Sequence, residues 1–218
     1  MNKNTKTTCT FTFLFLFLFL FLSLIAIFLF YFCKVDSLEK VYSVPNIFTK
    51  EECKTIINEF ETNYNKCNTY KNSEYFTIDI LLKDLEPMVN KFVNDNINAK
   101  LLPIFESKYN IPTNSFKINE NELYVIKYYN DPKLYNNSQS QKKYNNKIGY
   151  HKDIAPYSFS ISLNNDFHGG GTHFLSLNKE FNPHTGNGII FSGKNTHSGI
   201  KINSGTRYVI YGSLEQNN

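Results

Sequence analysis

Residues 150–163, YHKDIAPYSFSISL, contain two neighbouring patterns that together decide how this chain folds. In the second half, aromatic and aliphatic residues alternate with serine, which is typical of a strand with one buried face. The alternating residues are Tyr157, Phe159, Ile161 and Leu163 on one side and Ser158, Ser160 and Ser162 on the other. In the first half, His151 and Asp153 stand two positions apart, so an extended backbone points both side chains the same way. The stretch predicts two potential metal ligands on one strand, followed by a half-buried strand.

A third potential ligand, His197, lies 44 residues after Asp153 in another segment that is typical of a strand. Two neutral imidazoles and one carboxylate are the ligand set of non-haem ferrous sites, where they occupy one face of the metal and leave the other face open. A histidine and an aspartate two positions apart are common by chance, and the alternative is a pair of surface residues at a strand end. The neighbouring motifs decide between the two interpretations.

Motifs on both sides of His151 and Asp153 favour the metal site. A strand-like run covers residues 123–129, FHGGGTHF covers residues 167–174, and GTRY covers residues 205–208. The order and spacing of these motifs over residues 123–214 resemble the 2-oxoglutarate/Fe(II)-dependent dioxygenases, in particular the prolyl and lysyl hydroxylase branch that includes the catalytic domain of the prolyl 4-hydroxylase α subunit. The resemblance implies a double-stranded β-helix, or jelly roll, and the many short strands separated by turns also suggest that architecture.

The resemblance further implies functional residues and cofactors. His151, Asp153 and His197 are implied as the ligands of Fe(II), and Arg207 as the partner of the distal carboxylate of 2-oxoglutarate, which a guanidinium can hold with two parallel hydrogen bonds. Tyr128 takes the position where related enzymes place a hydroxyl near the co-substrate. The implied reaction converts 2-oxoglutarate and O₂ to succinate and CO₂ and hydroxylates a prolyl or lysyl side chain of a protein or peptide, with L-ascorbate as reductant. The sequence leaves proline and lysine open.

Two other functions compete with this interpretation. One is a catalytically silent jelly-roll module that only binds, which is disfavoured because all three ligands and the basic residue are present. The other is a dioxygenase that acts on a different substrate class, such as nucleic acid. The basic residues are scattered and the formal net charge is only +4, so we expect no nucleic-acid partner.

Residues 11–33 form an uncharged, apolar run rich in phenylalanine and leucine. As a helix, 23 residues extend roughly 34 Å, enough to cross a bilayer core of about 30 Å. A cleaved signal peptide is the alternative, but its apolar core is usually shorter and ends in small residues. The run therefore predicts a single transmembrane signal anchor. Together with the family resemblance, it suggests a type II membrane protein with its catalytic domain in the lumen of the endoplasmic reticulum or Golgi.

The chain is expected to be mainly β with N-terminal helices, an α+β protein whose jelly-roll core is buttressed by helices. We divide it into a tail (1–10), the transmembrane helix (11–33), a linker (34–46), a helical support region (47–116) and the dioxygenase core (117–218). Thr49 and Glu52 form a capping box at the start of the first support helix. Residues 78–93 and 101–109 are predicted as further helices, interrupted by Pro87 and Pro103.

The remaining histidines and the cysteines carry weaker predictions. His168, His173 and His184 are interpreted as non-ligands. Thr196 and Ser198 flank His197 and are candidates for orienting its ring. Cys53 and Cys67 either form a disulfide or remain free thiols, and the sequence does not decide between these states.

Overall fold

The computed structural model describes residues 17–28, 40–71, 76–129 and 147–217. The chain divides into two compact units, Met1–Leu38 and Glu39–Asn218.

In the first unit, the described residues form helix α1 over residues 17–28. Its large apolar side chains are exposed, among them Phe17, Phe19 and Phe28. Within the described residues, no helix combines the length and the apolar character that a membrane crossing requires. Residues 11–16 and 29–33 of the predicted anchor lie outside the described residues, so the anchor stays a prediction.

The described part of the second unit contains three α-helices, all before residue 110, and fourteen strands. The helices are α2 (Lys50–Thr62), α3 (Pro87–Lys100) and α4 (Leu102–Tyr109). The strands are β1 (Val41–Val44), β2 (Asn68–Lys71), β3 (Phe76–Leu81), β4 (Phe116–Ile118), β5 (Tyr124–Tyr129), β6 (Ile148–His151), β7 (Tyr157–Ser162), β8 (His168–Gly169), β9 (Thr172–Phe174), β10 (Lys179–Phe181), β11 (Gly188–Ser192), β12 (His197–Gly199), β13 (Ile202–Ser204) and β14 (Thr206–Gln216). Short 3₁₀ turns cover Tyr64–Lys66, Leu82–Asp84 and Glu120–Glu122.

The strands form one large sheet and two smaller ones. The large sheet has the order β1-β11-β7-β14-β5-β3-β2, and β4 also pairs with β14. A second sheet has the order β10-β9-β12-β6, and β13 pairs with β8. All the described pairings are antiparallel. This mostly β architecture with flanking helices agrees with the jelly roll that the sequence predicts.

The two faces of the large sheet have different roles because successive residues of a strand point to opposite sides. One face packs against the helices in the main core. Residues of that core include Ile80, Val125, Phe159 and Ile210 from the strands and Phe60, Ile97 and Phe105 from the helices. The opposite face meets the second sheet, where the ring centroids of Phe174 and Phe191 lie 5.0 Å apart. Of the predicted site residues, Tyr128 and Arg207 lie on strands of the large sheet, and His151 and His197 lie on strands of the second sheet.

The serines of β7 differ from the sequence prediction. Ser158 and Ser162 were expected on a solvated face, yet both are at most 1% exposed. Phe159 and Ile161 pack in the helix-side core as expected. The serines are buried because β7 lies inside the large sheet, between β11 and β14, with protein on both faces.

The prediction of a helix over residues 78–93 is wrong in its first half. Residues 76–81 form strand β3, the turn Leu82–Asp84 follows, and helix α3 begins at Pro87. Proline is favoured in the first helical turn, where the backbone N–H has no partner in the helix. Pro87 therefore starts a helix rather than interrupting one, and Pro103 likewise lies in the first turn of α4.

Two predicted regions also contribute strands. Residues 34–46 were assigned to a linker, but β1 pairs with β11 at the edge of the large sheet. The support region, residues 47–116, adds β2 and β3 to the same sheet. The capping box is confirmed: the Thr49 side chain accepts from Glu52 N, and the Glu52 carboxylate accepts from Thr49 N. Cys53 and Cys67 are free thiols.

Candidate metal centre

Strand pairing in the second sheet brings the three predicted ligands together. His151 at the end of β6 is the direct cross-strand partner of His197 on β12. Asp153 follows two residues after His151, and its backbone N–H donates to the carbonyl of Gly193 at 2.9 Å. This bond ties the residues after β6 to the loop between β11 and β12. The three side chains therefore come from two paired strands and one tethered loop.

The donor atoms of these three residues are close enough to share one ion. One donor atom from each of His151, Asp153 and His197 lies within 4.8 Å of the others. Asp153 Oδ1 lies 3.5 Å from His151 Nε2 and 3.8 Å from His197 Nε2. Metal–ligand bonds of about 2.1 Å allow two ligands of one ion to be up to about 4.2 Å apart. The donor set fits a divalent cation such as Fe(II).

Both imidazoles are oriented in the same way, by the carbonyl two residues earlier. His151 Nδ1 lies 2.9 Å from Gly149 O, and His197 Nδ1 lies 2.9 Å from Asn195 O. A carbonyl only accepts hydrogen bonds, so each Nδ1 carries a proton and each Nε2 is the ring nitrogen left to bind a metal. This is the arrangement that metal-binding histidines adopt. The Asn195 carbonyl, rather than Thr196 or Ser198, bonds the His197 ring.

Burial favours the state of His197 that binds a metal. His197 is 5% exposed and packs against the rings of Phe191 and Phe174, whose centroids lie 4.8 Å and 5.6 Å from its own. Burial lowers the pKa of His197, and Asp153 opposes this shift. Asp153 Oδ2 is buried and has no hydrogen-bond partner within the described residues. A buried carboxylate oxygen in that position is costly unless a cation or donor joins it.

Gly193 makes the close approach of Asp153 possible. A Cβ atom on Gly193 would lie 2.0 Å from Ala155 O and 3.2 Å from the Asp153 Cβ. Gly193 also donates its N–H to Pro156 O at 3.0 Å. Residues 153–156 thus pack directly against the Gly193 backbone. Any larger residue at position 193 would force one of the two segments to move. The sequence motifs did not identify Gly193, because its role depends on a contact between two loops.

Arg207 and Tyr128 lie side by side on the cavity-facing side of the large sheet. They are direct cross-strand partners on β14 and β5, and the Arg207 guanidinium carbon lies 5.6 Å from the centre of the Tyr128 ring. Arg207 is 4% exposed, donates from Nη1 to Gly171 O at 3.3 Å, and has an Nε without a partner in the described part of the chain. Burial lowers the pKa of Arg207 and raises the pKa of Tyr128 to about 12. Tyr128 is therefore a neutral phenol beside a cation with unused donors.

The glycine run after β8 shapes the backbone around Arg207. Gly169, Gly170 and Gly171 all have positive φ, at 79°, 72° and 101°. A Cβ on Gly170 would lie 2.6 Å from Ile202 Cδ1 and 3.3 Å from Arg207 Cδ. The run lets the loop turn tightly and present the Gly171 carbonyl to the guanidinium.

One cavity of about 610 Å³ joins these groups. It is lined by all five predicted site residues, namely Tyr128, His151, Asp153, His197 and Arg207. Within the described residues, the candidate metal ligands do not include His168, His173 or His184. The Nδ1 atom of His173 instead forms a 2.9 Å hydrogen bond with the Tyr150 hydroxyl. The cavity can hold a small anionic molecule between a cation site and a buried guanidinium.

Arg207 is also distinguished by the composition of the chain. It is the single arginine of the 218 residues, among 23 lysines and arginines. Its planar guanidinium, in the wall of the cavity, presents a fork of donors that the 22 lysines of the chain lack.

Comparisons with known proteins define the fold. No protein-family model matches the sequence, and no curated protein matches it significantly. The viral collagen prolyl hydroxylase of Paramecium bursaria Chlorella virus-1, solved in complex with 2-oxoglutarate, aligns with a TM-score of 0.55 and 16% identity over 82% of this chain and 96% of that chain.

Two further structures from other sources align equally well. An oxidoreductase of the 2OG-Fe(II) oxygenase family from Burkholderia pseudomallei gives a TM-score of 0.59 and 14% identity over 82% of this chain and 86% of that chain. A prolyl hydroxylase from Trichoplax adhaerens, in complex with a hypoxia inducible factor peptide fragment, gives 0.58 and 12% over 81% and 83%. The chain therefore has the jelly-roll fold that these oxygenase structures share, which confirms the predicted mainly β core with helices but not the transmembrane helix that was predicted to precede it.

Proposed function

We propose that this protein is a 2-oxoglutarate- and Fe(II)-dependent dioxygenase that hydroxylates prolyl or lysyl side chains of a protein or peptide. One observation carries the proposal. The cavity contains the grouped donor atoms of His151, Asp153 and His197. It also contains the buried guanidinium of Arg207, whose Nε has no hydrogen-bond partner within the described residues. A cation site and an anion site in one cavity match a metal together with a dicarboxylate.

In this proposal the chain binds and orients its reactants. His151 Nε2, His197 Nε2 and Asp153 hold the metal, which supplies the activation of O₂ when it is bound. Overall, R–H, O₂ and 2-oxoglutarate give R–OH, succinate and CO₂. One oxygen atom enters the C–H bond of the substrate and the other enters succinate, so 2-oxoglutarate supplies two of the four electrons that reduce O₂ and the substrate supplies the other two.

Arg207 is proposed to bind the distal carboxylate of 2-oxoglutarate. Its Nη1 makes only a 3.3 Å bond to Gly171 O, and its Nε makes none within the described residues. A carboxylate would satisfy both the buried charge and these free donors. Tyr128 remains protonated because burial raises its pKa to about 12, so its hydroxyl can donate to the same ligand.

Support for a peptide substrate comes from the structural neighbours. The Trichoplax protein was solved with a peptide fragment, and the Chlorella virus protein is described as a collagen prolyl hydroxylase. We further propose that residues 11–33 anchor the protein in a membrane with the second unit in a secretory lumen, and that ascorbate restores the reduced metal. The length and apolar composition of the run support the anchor.

The test is succinate production by the full chain in detergent. We expect 2-oxoglutarate to be converted to succinate with Fe(II) and not without it, because the site needs its metal. His197→Ala should abolish conversion, since it removes a donor atom, whereas His184→Ala should not. Equal succinate production by the wild type and His197→Ala would contradict the proposal. Metal binding with no succinate under any condition would favour the catalytically silent module.

A further inference from the structure

The two oxygens of Asp153 have different surroundings. Oδ1 faces both imidazoles, at 3.5 Å from His151 Nε2 and 3.8 Å from His197 Nε2. Oδ2 is buried and has no hydrogen-bond partner within the described residues. A buried carboxylate oxygen is costly unless a donor or a cation joins it. A donor beside Oδ2 would reduce that cost and would leave Oδ1 to bind the metal.

Tyr211 brings a hydroxyl to the wall of the same cavity. Arg207, Val209 and Tyr211 alternate along β14, so they point to one side of the sheet, and all three line the cavity. At about 3.3 Å per residue, Tyr211 lies roughly 13 Å from Arg207 along the strand. Tyr211 therefore belongs to a different part of the wall from the proposed anchor of the co-substrate.

Strand register places a second hydroxyl, that of Ser158, beside Tyr211. Tyr211 is the cross-strand partner of Ser160 on β7, so Ser158 is its diagonal neighbour on the same face. Diagonal neighbours are about 7–8 Å apart, a separation that an aromatic side chain can span. Ser158 is 0% exposed, and its Oγ has no hydrogen-bond partner in the described part of the chain. Like Asp153 Oδ2, it is a buried polar atom that lacks a partner.

The electrostatics of Tyr211 link its hydroxyl to both of these atoms. Burial raises the pKa of Tyr211 most, and the negative charge of Asp153 opposes ionisation next. Ser158 lowers this pKa as a donor to the phenol oxygen, whereas Asp153 also raises it as an acceptor of the phenol proton. Neither Ser158 Oγ nor Asp153 Oδ2 completes its bond at full hydrogen-bond geometry, so a side-chain rotation is needed to close the chain. Tyr211 is a neutral phenol between a hydroxyl and a carboxylate.

The other carboxylate near Tyr211 already has a donor. The charge of Glu122 also raises the pKa of Tyr211, but Glu122 Oε2 accepts a hydrogen bond from Ser213 Oγ. The Tyr211 hydroxyl has a single proton to donate. Asp153 is therefore the carboxylate that this proton can serve.

We propose that Tyr211 is a positioning residue for the metal: its hydroxyl donates to Asp153 Oδ2, with Ser158 behind it, and so keeps Asp153 a ligand through Oδ1 alone. This inference rests on the proposed function only through its metal centre, because it concerns how the chain holds the metal. Partners of this kind fix the orientation of a ligating group. With one oxygen from Asp153, the three residues supply three ligand atoms and leave the other positions open.

Tyr211→Phe tests the hydroxyl, because it removes one oxygen atom and keeps the ring. We expect the Kd for Mn(II) to rise about tenfold, the lower end of the effect of removing a group that orients a ligand. Calorimetric titration of the full chain in detergent measures the change. Tyr124→Phe is the matched control: Tyr124 is the cross-strand partner of Tyr211 and lines the cavity, but its hydroxyl donates to Asn121 O at 3.1 Å. This control should bind Mn(II) as the wild type does.

A Co(II) spectrum separates positioning from a general loss of structure. The visible absorption bands of Co(II) weaken as the number of its ligand atoms rises. In Tyr211→Phe, Oδ2 of Asp153 is free to join the metal, so we expect weaker bands than in the wild type when both proteins are saturated with Co(II). Tyr124→Phe should give the wild-type spectrum.

Ser158→Ala tests the network while Tyr211 stays in place. We expect a smaller loss of Mn(II) affinity than in Tyr211→Phe. The loss should disappear when Ser158→Ala is added to Tyr211→Phe, because Ser158 acts on Asp153 only through the tyrosine hydroxyl. Additive losses in the double variant would contradict this chain of contacts.

The outcomes separate this inference from the proposed function. An unchanged Co(II) spectrum in Tyr211→Phe, or an Mn(II) affinity equal to that of Tyr124→Phe, overturns the inference even when succinate forms. A changed spectrum and a weaker affinity in Tyr211→Phe, without succinate from the wild type, support the inference and overturn the proposed dioxygenase activity. A wild type that binds neither Mn(II) nor Co(II) overturns both.

Discussion

Arg207 is a residue whose replacement separates charge from geometry. Arg207→Lys keeps a positive charge but loses the planar fork of donors. We expect the KM for 2-oxoglutarate to rise roughly 10- to 100-fold, the effect of losing a charge-assisted hydrogen bond. Steady-state succinate formation measures the change, and Lys117→Met, which removes an exposed cation on β4, is the control. An unchanged KM in Arg207→Lys would remove Arg207 from the co-substrate site.

The single arginine also permits a chemical test. A vicinal dicarbonyl reagent should modify one guanidinium in the whole chain, and bound 2-oxoglutarate should slow that reaction.

Gly193 is expected to govern metal affinity although it offers no ligand atom. In Gly193→Ala the new methyl group meets Ala155 O and displaces residues 153–155. We expect Mn(II) affinity to fall about 10- to 100-fold, the usual cost of disturbing the groups that orient a ligand. Calorimetric titration measures this affinity.

Gly199→Ala is the matched control for Gly193→Ala. Gly199 lies on the same strand as His197, but its nearest neighbour, Ile148 N, would be 3.3 Å from the new atom. Equal affinities in the two variants would show that the approach of the Gly193 backbone does not position Asp153.

At the residue scale, the sequence identified the groups that carry chemistry but not the groups that hold them. His151, Asp153, His197 and Arg207 stand in motifs whose spacing can be compared along the chain. The Asn195 carbonyl and the Gly193 backbone act through contacts that exist only once β6, β11 and β12 have taken up their register. Backbone carbonyls have no sequence signature. The sequence therefore indicated the side chains of Thr196 and Ser198 as the groups that orient the His197 ring.

At the scale of elements, helix α2 depends on its cap. Thr49→Ala removes the side-chain acceptor for Glu52 N and should lower the free energy of unfolding by about 1 kcal/mol. Urea denaturation measures the change. Thr62→Ala is the control, because the Thr62 hydroxyl only donates back to Asn58 O within the last turn. We expect a smaller loss there and the same KM for 2-oxoglutarate in both variants. An equal loss in the two variants would contradict the capping role.

Element prediction failed where two periodicities overlapped. Ile78, Leu82, Leu85 and Val89 fit a helical stripe, but Ile78 and Ile80 also alternate with polar neighbours, as a strand requires. The tertiary structure follows the second pattern because β3 completes the hydrogen bonding of β5. The capping box, by contrast, is local and was predicted correctly, since a cap needs only residues within one turn.

At the scale of the whole molecule, alkaline pH should unfold the protein gradually. Burial raises the pKa of Cys53 from 9.0 to about 12 and that of Cys67 from 9.0 to about 11. The folded protein therefore favours the neutral thiols. This contribution to stability is complete below pH 9 and is lost as the pH rises through the folded values of 11 to 12. Urea midpoints between pH 9 and pH 11 should fall.

Cys53→Ala separates this effect from general alkaline damage. The variant lacks one of the two thiols, so its urea midpoint should fall less steeply with pH than that of the wild type, whatever its stability at neutral pH. Parallel slopes for the two proteins would assign the alkaline loss to other groups.

Strand β14 has a consequence for how the protein is made. Its residues pair with β4, β5 and β7, and it supplies both Arg207 to the cavity and Ile210 to the core. During translation, β5 and β7 are synthesised before residues 206–216 exist. Until then both strands lack β14 as a neighbour, so each keeps one unpaired hydrogen-bonding edge. We expect the nascent chain to need chaperone protection over that interval, and ribosome-bound chains stalled before residue 206 to remain protease-sensitive.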